Sequence, residues 1–439
     1  MRKVLLVIFL LASCSFARTE SDTTEYKEPF VVVDTIIIRG NKITEPHIIF
    51  NEITFQKRDS LTLKSLNYNK ERIYSLGIFN KVNIFPVPEG NKMVVYIDVE
   101  EAWYIWPIPF IDLVDRDWKK ISYGIDLTIK NFRGENQNVH VKGALGYDPH
   151  LAISYTIPYL LRKEQVFLNW SGYFGDLNNR NKHADSLYGE NYTQRYMYST
   201  IAIGKRFSLY DRATISGTFE YINTPQSKIH PSFPKSNIAR IPSLGLAFSH
   251  DSRDLAQFPI NGLFLSTEYD FKGLGLDSTN YSVFLFDYRQ YEELGYKISL
   301  KWRLATRQVF GTNIHYIDYS YLGYTERIRG DFNLQEEGNS LYFTSVEIKY
   351  PLLKEWNLHL HLPIIPESLQ SYRIALYYQL FFDAGTMLQK IKNISFNDFE
   401  SGYGGGFSIL FLPYNVLRLE MAMNKFGKLE YIVDLGLSF

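Results

Sequence analysis

From residue 121 to its last residue, the chain alternates between apolar and polar residues. At 429–439 the odd positions are apolar, from Leu429 to Phe439, and most even positions are polar or small. The same alternation runs through 297–304 and 417–424, and it recurs more weakly at 121–130, 138–147, 165–174, 214–222 and 342–350. A period of two is typical of β-strands with one apolar face. The pattern therefore predicts a run of antiparallel strands over 121–439.

A different pattern fills residues 30–102. Val31 to Ile38 is rich in β-branched residues and precedes the turn residues 39–41, which predicts a strand. Helices are predicted over 45–53, behind the capping residue Thr44, and over 63–76, where apolar residues fall near helical spacing. Two more strands are predicted over 81–86 and 93–100. The order β-α-α-β-β predicts a small α+β domain at 30–102, followed by a linker at 103–120.

Strand length separates two classes of β protein. Sandwich strands are typically about 5 to 6 residues long, whereas a tilted membrane strand needs about 9 to 11. The alternating runs are close to the longer value, and residues 121–439 hold about 16 strands at about 20 residues per strand and loop. A soluble sandwich or propeller is the alternative, but so many aromatic-rich strands would aggregate at their edges. We therefore predict a 16-stranded antiparallel transmembrane β-barrel with its apolar face toward lipid.

Composition supports a membrane location and excludes some functions. Aromatic residues make up 16% of the chain, with 33 Tyr, 31 Phe and 6 Trp, and a membrane-water interface holds many such rings. The 47 basic side chains equal the 47 acidic ones, so there is no electrostatic case for nucleic acid as a partner. The single cysteine excludes an intrachain disulfide.

The N-terminus predicts export. Arg2 and Lys3 precede an apolar run from Val4 to Ala12, which is too short to span a bilayer but suits a signal peptide. Cleavage after Ala17 would give a signal peptide at 1–17 and a flexible lead-in at 18–29. The sequence before Cys14 also resembles a lipobox, so lipidation of Cys14 stays an alternative. No run of 18 apolar residues follows residue 17.

Several segments resemble one family of assembly and translocation proteins. Its members include BamA-like, TamA-like and two-partner-secretion proteins. Residues 30–102 resemble its POTRA domain, with the opening strand and turn at 36–44 and the exit from the second helix at 76–82. The rest resembles its surface-antigen barrel, with the first barrel turn at 131–134. The mid-barrel motif is matched by Asp251, Arg253, Asp254, Pro259 and Gly262.

Two further motifs are more specific to that family. Residues 327–331 resemble the tip of its long sixth extracellular loop, with Arg329 and Gly330 at the matching positions. Asp331 stands where the family has an aromatic residue, and Phe332 follows one place later. Residues 381–385 resemble the strand that receives the loop, with Asp383 and Gly385 matching. The chain end resembles the recognition signal of outer-membrane barrels, carried here by Tyr431, Leu435, Leu437 and Phe439.

The resemblance implies that the loop folds back into the barrel lumen. In strand 373–385 the even positions are apolar, so Asp383 lies among the inward odd positions. Arginine binds a carboxylate in a two-pronged geometry that lysine cannot copy. We therefore predict an ion pair between Arg329 and Asp383 that fixes the loop to the wall, with Arg327 as the competing residue.

The function implied is insertion of other barrels into the outer membrane, without enzymatic chemistry and without a cofactor. The partners implied are unfolded outer-membrane proteins, outer-membrane lipid and accessory periplasmic proteins, and the open edge of the POTRA sheet would capture clients by strand addition. A dedicated polypeptide or lipid translocator, a passive pore and an adhesin remain alternatives. His359 and His361 could share one strand face, but no third ligand is evident, so no metal site is predicted.

Overall fold

The computed structural model describes residues 30–113, 117–179, 192–224, 237–323, 326–331, 334–360, 363, 366–389, 395–413 and 415–436. The predicted signal peptide with Cys14 lies outside these residues. His361, Phe332, Leu437 and Phe439 also lie outside them, so the structure does not address the expectations placed on these positions.

The N-terminal domain has the predicted β-α-α-β-β order, with two short additional strands. Its elements are β1 (Phe30–Val32), β2 (Thr35–Arg39), α1 (Pro46–Phe50), β3 (Ser60–Thr62), α2 (Leu63–Tyr74), β4 (Phe79–Glu89) and β5 (Lys92–Glu101). Helix α2 begins at a capping box, in which Thr62 and Ser65 each accept a hydrogen bond from the other's backbone N–H. The sheet order β2-β5-β4 leaves β2 and β4 as its two edges.

The second part of the chain is a 16-stranded antiparallel sheet, as predicted. Each strand pairs with its neighbour in sequence, except that β16 pairs with β19 across a long loop. The strands are β6 (Ile105–Leu113), β7 (Ile121–Phe132), β8 (Gln137–Gly146), β9 (His150–Leu161), β10 (Val166–Asn178), β11 (Thr193–Arg206), β12 (Asp211–Asn223), β13 (Ile238–Asp251), β14 (Gly262–Lys272), β15 (Asn280–Gly295), β16 (Ile298–Thr312), β19 (Ser340–His359), β20 (Ser371–Leu388), β21 (Glu400–Leu412), β22 (Asn415–Asn424) and β23 (Leu429–Leu435).

The expected linker at 103–120 is wrong in part. Strand β6 lies within it and forms nine residue pairs with β7, from Ile105 with Ile129 to Leu113 with Ile121. The barrel therefore begins at Ile105 rather than at residue 121. The sequence pattern missed β6 because this strand is apolar at nearly every position and contains two prolines, so it shows no alternation.

The two faces of the sheet differ in polarity. Apolar side chains on the outer face are exposed, as in Tyr431 at 73% and Val433 at 74%. The inner face instead carries charged residues that are almost fully buried, and these include Lys301, Arg303, Glu347, Lys349, Asp383 and Glu420. An apolar exterior with charges buried inside is the arrangement of a transmembrane barrel. No helix among the described residues is long and apolar enough to cross a membrane.

The N-terminal domain packs directly against the periplasmic turns of the barrel. One buried apolar cluster joins residues of both parts, including Ile73 and Phe79 of the domain and Leu255, Phe258 and Tyr377 of the barrel. The chain enters the barrel from this side, so the domain lies across the end of the lumen where strand turns are short.

Candidate functional site

A long extracellular loop enters the barrel lumen. It connects β16 to β19 and contains two short paired strands, β17 (Ser320–Leu322) and β18 (Glu336–Gly338). Leu322 and Ile328 of the loop are buried against Leu341 and Phe343 of the wall. Gly385 lies under this contact, since a Cβ atom there would approach Leu322 Cδ1 to 3.3 Å. The loop thus has an apolar base against strands β19 and β20.

The loop tip places Arg329 against Asp383. The guanidinium donates from Nε to Asp383 Oδ2 at 2.7 Å and from Nη2 to Oδ1 at 2.8 Å. The backbone N–H of Arg329 also donates to this carboxylate, at 3.3 Å, and Ser345 Oγ donates to it at 2.6 Å. The guanidinium lies 3.5 Å from the centre of the Phe381 ring. The geometry is the two-pronged kind that orients as well as binds.

Two more carboxylates surround the same guanidinium. Arg329 Nη1 lies 3.0 Å from Glu420 and 3.2 Å from Glu347. Cations of the wall neutralise these acids in turn, because Lys349 lies 3.3 Å from Glu347 and Arg418 lies 3.2 Å from Glu420. All of these side chains are 10% exposed or less. The tip is therefore one member of a buried and nearly charge-balanced network.

Two glycines allow the backbone of the tip to lie this close to the wall. Gly330 has φ +99°, and its N–H donates to Glu430 Oε2 at 3.0 Å. A Cβ atom on Gly402 of β21 would lie 1.9 Å from the carbonyl oxygen of Arg329. Asp331 accepts from Asn424 Nδ2 at 3.3 Å. The contact between tip and wall therefore requires glycine at position 402 as well as at position 330.

The loop is held at a second point by Arg303 of β16. Its guanidinium donates to both oxygens of Glu326 in the loop, at 2.8 and 2.7 Å. It also donates to both oxygens of Asp287 on the neighbouring strand, at 3.0 and 2.7 Å. One wall arginine thus binds the loop and the sheet together.

A third attachment lies near the start of the loop. Lys272 Nζ donates to Asp318 at 2.9 and 2.8 Å and to Glu220 at 3.0 Å. Tyr281 Oη donates to the same aspartate at 2.6 Å. The described residues of the loop are therefore bound to the wall by ion pairs at three points, Asp318, Glu326 and Arg329.

The predicted site residues differ in what they contact. Arg327, the competing arginine, is exposed and donates from Nε to the carbonyl of Gly323 at 3.2 Å. Sequence reasoning missed Glu347, Glu420 and Arg303. All three are charged residues at inward positions of strands in which apolar and polar residues alternate. Many other residues of the barrel share this feature, so it does not single them out.

The mid-barrel motif forms the periplasmic turn between β13 and β14. Arg253 donates to Asp251 through Nε and Nη2, both at 2.8 Å. The carboxylate of Asp254 accepts backbone N–H bonds from Leu255, Ile260 and Asn261 at 2.8, 3.0 and 3.2 Å. The motif closes with buried Pro259 and with Gly262, which has φ +112°. These contacts fix the shape of the turn.

This turn is the surface on which helix α2 docks. Ser75, which follows α2, accepts from the N–H of Ala256 through its hydroxyl at 2.9 Å and from Gln257 Nε2 through its carbonyl at 3.1 Å. Tyr68 Oη donates to the carbonyl of Ser252 at 3.3 Å. Burial at this junction raises the pKa of Asp254 to about 6 and raises the pKa of Tyr68. The motif residues thus shape a socket for the N-terminal domain.

Buried ion pairs complete the junction. Glu52 of the domain binds Arg72 of α2 at 2.8 Å and Arg206 of the barrel at 2.8 Å, and all three side chains are below 10% exposed. Glu71 of α2 binds Arg373 of β20 at 2.7 Å. Neighbouring residues of α2 thus join two separate ion-pair groups of the barrel, one with Arg206 and one with Arg373, and these hold the domain across the periplasmic end of the barrel.

The remaining predicted positions take no part in a reactive site. Tyr431 and Leu435 face outward on β23, and His359 Nδ1 hydrogen-bonds to Ser371 Oγ at 2.8 Å. Within the described part of the chain, no group of three or more His, Cys, Asp and Glu side chains is placed to hold a metal ion.

A periplasmic α+β domain docked on a barrel with a loop inside its lumen defines a class of outer-membrane protein. The family model for the Omp85 superfamily domain matches residues 131–428, and the model for POTRA, described as the surface antigen variable number repeat, matches residues 31–102. The chain belongs to the Omp85 superfamily. It is an outer-membrane protein whose POTRA domain lies in the periplasm.

Three solved structures match the chain at low sequence identity. BamA from Haemophilus ducreyi lacking POTRA domains 1–3 has a TM-score of 0.54 at 15% identity, covering 92% of this chain and 83% of that one. CdiB from Acinetobacter baumannii has a TM-score of 0.47 at 14% identity, covering 92% and 73%. CdiB from Escherichia coli has a TM-score of 0.48 at 10% identity, covering 95% and 90%. No curated protein sequence gives a significant match.

Proposed function

We propose that this chain inserts unfolded β-barrel proteins into the bacterial outer membrane. Membership of the Omp85 superfamily supports a role in outer-membrane insertion or translocation, and factors of this superfamily are generally non-enzymatic. The observation that carries the proposal is that Arg329 of the loop is fixed inside the barrel by Asp383, while the POTRA domain packs against the periplasmic end of the barrel. A protein that works on clients at its surface does not need an open lumen, whereas a passive pore does.

Capture of the client is assigned to the edge strand β4 of the POTRA sheet. An unfolded strand adds to a sheet edge through backbone hydrogen bonds, so affinity does not depend on a particular client sequence. Glu89 and Lys92 form the hydrogen-bonded pair that flanks a two-residue hairpin turn. The odd-numbered residues of β4 therefore bond to β5, and the even-numbered residues direct their backbone N–H and C=O groups to the free edge. Pro86 and Pro88 have no N–H there. Capture is therefore confined to residues 81–85.

In this proposal the loop fixed by Arg329 and Asp383 keeps the lumen closed while the barrel wall inserts the client. The partners are unfolded outer-membrane proteins and the surrounding lipid, with accessory periplasmic proteins as further partners. The runner-up function is a dedicated polypeptide translocator, which would have to move the loop and the POTRA domain aside together.

The test uses the full-length protein in proteoliposomes and a urea-unfolded eight-stranded outer-membrane barrel as client. We expect faster appearance of the folded, heat-modifiable client than in empty liposomes, and no steady conductance in planar bilayers. Depletion in cells should lower the levels of several unrelated outer-membrane proteins. Steady conductance without an effect on client folding would instead support a pore, and loss of a single exported protein would support a dedicated translocator.

The capture step is tested by replacing Ile84 with proline. Its N–H faces the free edge of β4, so proline removes a donor from the client without breaking the pairing with β5. We expect reduced crosslinking of the client to the POTRA domain. Ile84→Ala is the matched control, because it shortens the side chain but keeps the N–H. Equal crosslinking by both folded variants would contradict capture at this edge.

A further inference from the structure

The outer face of the barrel carries a groove that spans strands β11 to β14. Its volume is about 550 Å³. Side chains alternate between the two faces of a strand, and the lining of the groove includes Gly204, Thr214 and Ala247, which occupy inward positions. The groove therefore reaches the backbone of the sheet itself, on the side of the wall that meets lipid.

Two rows of paired outward residues form the groove. In the first row, Lys205 pairs with Ala213, Ala213 with Phe248, and Phe248 with Thr267. The second row lies two residues further along each strand and consists of larger residues, which are Ile203, Ile215, Leu246 and Tyr269. Ala213 has only a methyl group, so it forms the floor between taller neighbours. One small residue among large ones thus opens the groove.

The groove lies near the periplasmic end of the wall. Lys205 is close to the turn at 207–210, in which the carbonyl of Leu209 accepts from Arg72 Nη2 of the POTRA domain at 3.4 Å. Phe207 of this turn is 65% exposed and lines the groove. The Lys205 ammonium lies 5.7 Å from the centre of the Phe207 ring. Lys205 therefore lies where the hydrocarbon of the periplasmic leaflet meets its headgroups.

Lys205 differs from two other outward cations of the same part of the wall. Arg195, at the extracellular end of β11, binds Asp176 at 2.8 Å, and Arg240 of β13 binds Asp277 at 2.8 Å. Among the residues that the structure describes, no carboxylate forms an ion pair with Lys205. A lysine at this depth extends its ammonium toward the headgroup layer. The membrane is therefore left to supply its counter-ion.

We propose that this groove binds one anionic phospholipid of the periplasmic leaflet, with an acyl chain over Ala213 and the phosphate at Lys205. A flexible hydrocarbon chain fills an apolar groove that rigid side chains leave empty. A basic side chain beside such a groove attracts an anionic headgroup. The occupant comes from the periplasmic leaflet because the cation lies at the end of the wall that the POTRA domain contacts. The inference needs the membrane location of the barrel but does not depend on the proposed insertion function.

The first experiment measures the lipid that stays bound to the full-length protein. The protein is equilibrated in nanodiscs of equal parts phosphatidylglycerol and phosphatidylcholine, released into mild detergent and analysed by native mass spectrometry. Both lipids carry a phosphate, but only phosphatidylglycerol has a net negative charge. We expect a main lipid-bound species with one phosphatidylglycerol, in several-fold excess over the species with phosphatidylcholine. Equal retention of the two lipids would overturn the proposal.

Two variants test the two parts of the groove separately. Lys205→Gln removes the cation, and Ala213→Phe fills the floor from an outward position. We expect each to retain several-fold less phosphatidylglycerol than the wild type, whereas Lys205→Arg keeps the charge and should retain it. Heat-modifiable mobility on gels shows that each barrel is folded. Wild-type retention by either folded variant would overturn the proposal and leave only lipid that adheres anywhere on the wall.

Matched controls change the same properties outside the groove. Lys163→Gln removes an exposed lysine from the neighbouring periplasmic turn. Gly217→Phe adds a ring to an outward position of β12, where a Cβ atom meets nothing within 4 Å. Both controls should retain phosphatidylglycerol as the wild type does. A loss in either control equal to that in Lys205→Gln would show that general charge or shape, rather than this groove, holds the lipid.

The second experiment locates the bound lipid without any substitution. Phosphatidylglycerol with a photoreactive group in its acyl chain is added to the wild-type protein in nanodiscs, and crosslinked peptides are identified by mass spectrometry. We expect several-fold more crosslinks in residues 203–215 and 246–248 than in residues 417–423 of β22, whose outward side chains also meet lipid. An even distribution of crosslinks over the outer face would overturn the proposal.

Discussion

The two closures of the lumen are held by different forces. On the extracellular side, the tip of the loop is fixed by Arg329 among three carboxylates, and Asp383 and Glu347 are each only 1% exposed. On the periplasmic side, the POTRA domain docks through a shared apolar cluster in which Phe258 is 2% exposed, with ion pairs around it. At the upper closure the tip of the loop is held by ion pairs above a small apolar base, whereas the lower closure shares a larger apolar cluster with the barrel.

This difference sets how each closure responds to damage. Buried ion pairs depend on every member, because removing one partner leaves an uncompensated charge away from water. Apolar packing loses free energy in proportion to the atoms removed and to the cavity that remains. We therefore expect the loop to release in an all-or-none way and the POTRA interface to weaken by degrees.

The largest effect is expected for Arg329→Ala. The change leaves Asp383, Glu347 and Glu420 without their central cation, and losing one partner of such a pair costs roughly 3 to 5 kcal/mol. The loop should leave the lumen, which is measured as protease cleavage within 313–339 and as conductance in planar bilayers. Arg327→Ala is the matched control, because this arginine is exposed. A loop that stays protected in Arg329→Ala would show that the electrostatic contacts do not hold it. A disulfide between cysteines at 329 and 383 should restore protection.

A somewhat smaller effect is expected for Leu255→Ala at the POTRA socket. Leu255 is 5% exposed within the shared cluster, and such truncations cost roughly 2 to 5 kcal/mol. Hydrogen exchange should quicken in α2 while exchange in the barrel strands stays slow. Leu244→Ala is the control, because it removes the same atoms from a position that is 54% exposed on the outer face. Equal exchange in α2 for both variants would mean that packing at Leu255 does not secure the domain.

The same socket should depend on pH through Asp254. Burial raises the pKa of this carboxyl to about 6, so the folded state holds its proton over a range in which the unfolded chain has released it. The free energy of unfolding should therefore fall as pH rises from about 4 to about 6 and then level off, by on the order of 2 to 3 kcal/mol. Urea titrations at several pH values measure this slope. Asp254→Asn should remove that part of the slope, and an unchanged slope in the variant would assign it to other groups.

The smallest effect is expected for Arg195→Ala. Arg195 binds Asp176 with the same two-pronged geometry as the loop tip, at 2.8 and 3.0 Å, but its side chain is 50% exposed. Exposed pairs contribute about 1 kcal/mol or less. The urea midpoint should hardly move, and the small change should vanish in high salt. A cost similar to that of Arg329→Ala would show that geometry, rather than burial, sets the strength of the upper closure.

Much of the fold could be predicted because the residues of a barrel strand match the lipid or the water that each of its two faces meets. Lipid on one side and a polar lumen on the other impose the alternation at 417–424 and 429–435. This alternation predicted the antiparallel strands after residue 121, which number 15 of the 16 strands of the sheet. Strand β6 was missed for a physical reason. It has apolar residues on both faces and two prolines, so it lacks the signature of a strand with one lipid face and one aqueous face.

The candidate site was less predictable. Alternation assigned Asp383 to the lumen, and resemblance to a family pointed to Arg329. Nothing local identified Glu347 and Glu420 as the other acids at the tip, because their meeting depends on the stagger between strands that are distant in sequence. The docking of α2 on the turn at 252–261 was missed for the same reason, since it depends on how two separately folded parts come together.

Strands β6 and β23 are the two ends of the 16-stranded sheet, and the prolines of β6, Pro107 and Pro109, bear on how this chain itself folds. Pairing β6 with β23 would join the two strands that are farthest apart in the barrel sequence, and contacts of that kind are slow to form because a long loop must be ordered first. Without two of its donors, β6 offers little reward for that search. Each neighbouring pair from β6 to β16 and from β19 to β23 can instead form as a local hairpin. We therefore expect the folding rate of the barrel to be set by the formation of its hairpins and by the pairing of β16 with β19 across the long loop.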